Sequence, residues 1–171
     1  MNEDPRIDRF RLVFEEHNAT VYRFLYCMVG DADTARDLAQ ETFFRAYRAF
    51  DRFGERSTVS TWLCGIARNA ARNHFRARKR APVEQERDAE SEAPERPDDD
   101  LLTRELRGAI REAILQLDEE KRTAFTLKIL QQRTYEEIAA ITGSAIAKLK
   151  TDVHRARLQL RAALSGHWRT R

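Results

Sequence analysis

The sequence predicts an all-α protein: two small helical domains joined by a flexible acidic linker. Three observations carry that expectation. The chain has 171 residues, rich in Ala, Leu, Arg and Glu, with only 6 Gly and 4 Pro, a balance that favours helices. Apolar residues recur at helical spacing in both halves, and no alternating Val/Ile/Thr run bounded by turn residues marks a strand. Between the halves, residues 81–100 read APVEQERDAESEAPERPDDD, with one valine as the only sizeable apolar side chain. Such a segment buries too little surface to offset its conformational entropy. The expected division is therefore 1–80, 81–100 and 101–171.

Charge follows the same division. The net charge of +3 conceals −7 between Glu84 and Asp100, which leaves +10 on the rest. Basic folded parts around an acidic tether suit a polyanionic partner. Cys27 and Cys64 lie far apart among apolar neighbours, as buried free thiols do. Neither has the close-spaced companions that a metal site needs. His17, His74, His154 and His167 are scattered, and no nucleophile, metal or phosphate-loop constellation appears. No catalytic residue, metal or cofactor is expected. No signal peptide and no bilayer-length apolar run is present, so the expected location is the cytoplasm, without membrane insertion.

Residues 1–5 read as a frayed end. A first amphipathic helix follows from Arg6 to about Val29, with Phe10, Val13, Phe14, His17, Val21, Phe24, Leu25 and Met28 inward. Gly30 stops it, and Asp31 or Asp33 can cap the next helix. That helix, Ala32 to Phe50, turns Ala35, Leu38, Ala39, Thr42, Phe43, Ala46, Tyr47 and Phe50 inward. It turns Asp37, Gln40, Glu41, Arg45 and Arg48 outward.

The third helix begins near Ser57 or Ser60 and organises the first half. Val59, Trp62, Leu63, Ile66, Ala67 and Ala70 form its apolar side. Arg68, Asn69, Arg72, Asn73 and Arg76 form the other. From Ile66 to Arg80 there are six Arg or Lys and no acid. Arg supplies charge for phosphates and a planar fork for base edges, and Asn pairs a donor with an acceptor as a base edge does. The face suits either a solvated surface or a nucleic-acid contact.

In the second half, Leu101, Leu102, Leu106, Ala109, Ile110, Ala113, Ile114 and Leu117 recur at helical spacing. Asp118 caps a helix through Leu130, and Gln131-Gln132-Arg133 makes a turn. Thr134 and Glu137 form a capping box. Thr142-Gly143-Ser144 turns tightly into a last helix, about Ala145 to Leu164. Its outward side offers Lys148, Lys150, Thr151, His154, Arg155 and Arg157. A short helix, a glycine turn and a basic second helix make a helix-turn-helix, whose second helix enters the DNA major groove.

These motifs resemble a known family. Asp37-Leu38-Ala39-Gln40-Glu41-Thr42-Phe43 with Arg45-Ala46-Tyr47, and Thr61-Trp62-Leu63-Cys64-Gly65-Ile66-Ala67-Arg68-Asn69, are similar to sigma region two. Tyr135-Glu136-Glu137-Ile138-Ala139 and His154-Arg155-Ala156-Arg157 are similar to sigma region four. In this order they resemble bacterial RNA polymerase sigma factors of the extracytoplasmic-function group. The resemblance implies core RNA polymerase (β′ and β subunits), promoter DNA and an anti-sigma factor as partners. It implies that Asp37, Gln40, Glu41 and Arg45 dock the β′ coiled coil. It further implies that Arg68, Asn69, Arg72, Asn73 and Arg76 open the minus-ten element, with a flipped base held between this helix and the loop from Phe53 to Ser60. Unstacking that base costs a few kcal/mol, recovered only for the right base. Lys148, Lys150, Thr151, His154 and Arg155 then contact the minus-thirty-five element.

Three departures stand out. Leu117-Asp118 replaces Leu-Pro. The turn Gly143-Ser144-Ala145 carries its serine one position early, which shifts the expected cap. Asp152 stands where a basic residue is frequent, and is expected to face His154 or Arg155, or to accept from a cytosine amine. A stand-alone helix-turn-helix regulator is the alternative reading. It explains the second half and leaves the outward face of the second helix unused.

Overall fold

The structure, a computed structural model, describes residues 5–54, 56–80 and 101–168. The acidic linker at 81–100 and the first four residues lie outside the described residues. Every regular element among the described residues is helical.

Helix α1 spans Pro5–Val29. It starts on proline, whose missing N–H is no loss at a first helical position. It ends at Gly30, which adopts φ +76° and donates to the Tyr26 carbonyl at 2.8 Å, a left-handed stop that glycine reaches without a Cβ penalty. Of the two candidate caps for α2 (Ala32–Ala49), Asp31 serves: it accepts from the Thr34 amide at 2.8 Å. A 3₁₀ turn, Phe50–Arg52, closes α2. Helix α3 spans Val59–Arg80. Its first turn is tied by Thr58, whose hydroxyl accepts from the Thr61 amide at 3.2 Å. The three helices pack on Val21, Phe24, Leu25, Leu38, Phe43, Ala46, Leu63, Ala67 and Ala70, all buried. Phe14, expected inside, is 41% exposed, its ring edge-on to Phe43 at 4.8 Å.

The second module contains α4 (Leu101–Leu115), α5 (Glu119–Phe125), a π turn (Thr126–Leu130), α6 (Tyr135–Thr142) and α7 (Ile146–Trp168). Asp118 caps α5, accepting from the Lys121 amide at 2.9 Å. The capping box is present: the Glu137 amide donates to Thr134 Oγ1 at 3.1 Å, and the Thr134 amide to Glu137 Oε2 at 2.8 Å. Gly143 takes φ +71°. Ser144 does not cap α7. Its amide donates to Thr142 Oγ1 at 3.2 Å, and the Ala145 carbonyl receives the first amide of α7, from Leu149, at 3.1 Å.

Sequence periodicity missed the π turn. The Gln131 amide reaches back five residues to the Thr126 carbonyl at 3.0 Å. One extra residue rotates the side chains around it by about 100°, and Leu130 is 49% exposed. Gln132 follows with φ +55°.

The two modules, expected to fold separately, pack against each other. Helix α6 lies on α3, and α4 and α5 lie on α1. One apolar cluster runs through both: Leu127, Ile138, Ile141, Leu149 and Val153 join Leu25, Leu63, Cys64 and Ala67. A smaller cluster, Ala113, Ile114, Leu117, Phe125, Ala156 and Leu160, belongs to the second module alone. The reason lies in α3. Beside its apolar stripe run Ser60, Thr61 and Cys64, small enough to admit a second helix closely.

Candidate nucleic-acid interface

The polar side of α3 divides into two stripes. Asn69, Asn73 and Arg76 are exposed. Thr61, Cys64, Arg68 and Arg72 recur at three- and four-residue spacing and face the second module. The Thr61 hydroxyl donates to Glu137 at 3.4 Å, and the Cys64 thiol lies 3.6 Å from Gln131 Oε1. Arg72 pairs with Glu119 at 3.4 Å. Burial, then the neighbouring Arg72, push the Arg68 guanidinium down from its ordinary value, while Glu119 and Glu120 pull it up. Burial raises the Cys64 thiol despite nearby Arg133, so it is an inert neutral thiol. Cys27 is likewise raised, to about 11, by burial. Trp62 is half-buried, and its ring lies 4.7 Å from Phe53 at the loop before α3.

On α7, Lys150, Thr151, His154 and Arg155 are all exposed, because Leu149, Val153, Ala156 and Leu160 turn the opposite side into the core. Lys148 behaves differently. It pairs with Glu120 at 2.7 Å and Asp152 at 2.6 Å, and hydrogen bonds to Asp152, then Glu120, raise its pKa. Asp152 therefore faces neither His154 nor Arg155. It is 7% exposed and holds Lys148 one turn back on the helix, so it stands behind the basic surface.

On α2, Asp37, Gln40 and Arg45 are exposed and Glu41 is half-exposed, with Arg45 paired to Glu41. Sequence reasoning missed Phe44 on this face. It is 62% exposed, with the Arg48 guanidinium 5.9 Å over its ring. Its signal is positional: Phe43 fills the inward slot, so an adjacent phenylalanine must face out. Gln40 also borders a cleft of about 560 Å³ between α1 and α2, lined by Phe14, Asn18, Tyr22 and Arg36.

Residues 13–81 match the family Sigma-70 region 2, and residues 107–160 match Sigma-70, region 4. The chain is 33% identical to the RNA polymerase sigma-H factor of Pseudomonas aeruginosa over 168 residues, covering 91% of this chain and 86% of that protein. The chain belongs to the extracytoplasmic-function group of the sigma-70 family. It is an alternative sigma factor. The extracytoplasmic-function sigma-E factor of Escherichia coli is 38% identical, over 90% of this chain and 84% of its own. Among solved structures, the sigma factor RpoE of Bartonella quintana, in complex with the anti-sigma factor NepR, superposes with TM-score 0.76 at 26% identity. That match covers 92% of this chain and 97% of the other. Neither module alone spans that share, so the superposition takes in both modules as they sit together. A stand-alone helix-turn-helix regulator does not account for the region 2 match. Sigma factors are transcription initiation factors rather than enzymes. Among the described residues no helix is long and apolar enough to cross a membrane, and no group of three or more His, Cys, Asp or Glu could hold a metal ion.

Proposed function

We propose that this sigma factor divides promoter recognition between its modules, residues 1–80 opening the minus-ten element and residues 101–171 reading the minus-thirty-five element. One observation carries the reading. Asn69, Asn73 and Arg76 form an exposed, acid-free stripe on a helix whose other side is locked in a core. Amide groups held rigidly at a surface can read an unstacked base edge, and the adjacent Arg68 and Arg72 supply phosphate contacts. Lys150, Thr151, His154 and Arg155 meet duplex DNA. Lys148 joins them once a phosphate replaces its acidic partners. Asp37, Gln40, Glu41 and Arg45, with Phe44 added, dock the β′ coiled coil of core polymerase, and the β subunit completes the core contact. An anti-sigma factor holds the chain inactive, a reading supported by the likeness to a sigma factor solved with one. The chain acts in the cytoplasm, without chemistry or a cofactor of its own.

Elements centred ten and thirty-five base pairs upstream lie about 85 Å apart along B-form DNA. The intervening residues 81–100 can extend to about 70 Å, enough for the two modules to reach both.

The test begins by overproducing the protein and sequencing the transcripts that appear, which supplies a cognate promoter. Holoenzyme reconstituted with Asn69→Ala should then bind core polymerase normally and lose about 1–3 kcal/mol of minus-ten discrimination. Transcription equal to wild type would sink the assignment of Asn69.

A further inference from the structure

The π turn and the left-handed Gln132 are costly backbone that the DNA and polymerase faces do not use. An inserted residue in a helix and a non-glycine residue at φ +55° both tend to persist where a site holds them. Here they build one wall of a cleft. Thr126, Leu130 and Gln132 face Thr20, Arg23 and Cys27 of α1 across a volume of about 430 Å³, and no residue of α3 lines it. Gln131 Nε2 ties the two walls together by donating to the Thr20 carbonyl at 3.0 Å. A cleft of this size, with apolar walls and a few polar groups, is the usual form of a small-molecule site.

Its polar groups are unevenly satisfied. Thr42, Thr123, Thr142 and Thr151 each donate a hydroxyl to the carbonyl four residues back, at 2.7 to 3.1 Å. Thr126, at the head of the π turn, is 1% exposed, yet its hydroxyl makes no hydrogen bond to any described residue. A buried hydroxyl left in that state is destabilising, and a ligand group that reaches it removes the penalty. Arg23 is the charged side chain of the cleft, and no acid among the described residues lines it. Its Nε donates to the Ala19 carbonyl at 3.2 Å, and the rest of the guanidinium is available to an anion. Burial pushes the Cys27 thiol up to about 11 against the pull of Arg23, so the thiol is neutral wall.

We propose that this cleft binds a small organic carboxylate with an apolar body and a hydroxyl: the carboxylate pairs with Arg23, the body lies against Leu130 and Cys27, and the hydroxyl partners Thr126. The walls belong to different modules, so the ligand binds while the modules are docked and favours docking by mass action. The site couples the docked form of the chain to the concentration of such a ligand.

The experiment uses the full chain without polymerase and 4-hydroxybenzoate as the probe. Benzoate lacks the hydroxyl and 4-hydroxybenzamide lacks the charge, so each tests half of the site. Amide shifts in nitrogen-15 spectra give Kd and the location, and should centre on Cys27 and Thr126. At ten times that Kd the probe should slow N-ethylmaleimide modification of Cys27 about tenfold. Thr126→Val should weaken 4-hydroxybenzoate about fivefold and leave benzoate unchanged. Arg23→Gln should weaken both carboxylates about fivefold and leave 4-hydroxybenzamide unchanged. Thr126→Ser, which keeps the hydroxyl, should bind as the parent does. It also stands in for Thr126→Val if that chain loses helicity by circular dichroism, since a fivefold loss in Thr126→Ser contradicts the proposed hydrogen bond. No shift and no protection of Cys27 at millimolar probe, or shifts centred elsewhere, overturn the site. Equal losses of benzoate and 4-hydroxybenzoate in Thr126→Val overturn the role of the hydroxyl, and with it the proposed ligand class.

Discussion

Helices α3 and α7 are the two basic helices of this sigma factor, and they are presented in opposite ways. Helix α7 buries one side in its own module and leaves Lys150, Thr151, His154 and Arg155 in water. Helix α3 is gripped on two sides. One side fills the core of the first module, and a second holds Thr61, Cys64, Arg68 and Arg72 against the other module. Only Asn69, Asn73 and Arg76 remain exposed along its central turns. A duplex-reading helix can stand exposed, since duplex DNA is always available and its phosphates set the register. Under the proposed division of roles, the side of α3 that holds Arg68 and Arg72 is needed only after the duplex opens, so packing it against the second module beforehand costs nothing in recognition, while Asn69 and Asn73 stay exposed.

The largest break in this comparison comes from the cores. Leu63 is fully buried in the cluster that spans both modules, and Leu160 lies in the cluster confined to the second. Leu63→Ala should cost about 2–5 kcal/mol and loosen the docking as well. Leu160→Ala should fall at the lower end, with the modules still docked. Thermal unfolding and small-angle scattering on the full chain check both, and the comparison fails if Leu160→Ala undocks the modules while Leu63→Ala does not.

A smaller effect separates the cations. Lys150 makes only a distant approach to the Tyr135 ring, at 5.8 Å, whereas Arg72 has Glu119. In the free chain, Lys150→Ala should reduce the slope of log affinity against log salt by about 0.9. Arg72→Ala should reduce it by much less. Equal reductions would mean that α3 is as accessible as α7.

The smallest effect concerns pH. The Thr134 amide, with Arg133 adding to it, holds the Glu137 carboxylate below its ordinary 4.5. A lowered folded pKa stabilises above the unfolded value and is lost as pH falls through the folded one. The N-terminal cap of α6 should therefore loosen below about pH 4.5, and in Glu137→Gln that acid response should shrink. An unchanged acid transition in the variant assigns the response to other carboxylates.

Much of this molecule was legible in the chain itself. The caps at Asp31, Asp118 and Thr134 and the left-handed glycines Gly30 and Gly143 are local chemistry, complete within a few residues, so sequence alone determined where helices start and stop. Periodicity likewise determined which side of α3 and α7 is apolar, and the ordered motifs determined the family. Local patterns could not reveal the π turn, which displaced Leu130. They also missed the exposure of Phe14 and Phe44, and the inward turn of Asp152 toward Lys148. Those depend on what occupies the space beside a helix. Only the tertiary structure decided that the polar side of α3 is two stripes rather than one. Arg68 and Arg72 read from sequence like Asn69 and Asn73. What separates them is Glu119 and Glu120, some fifty residues further along the chain. Contacts at that separation arise only once two folded modules are brought together.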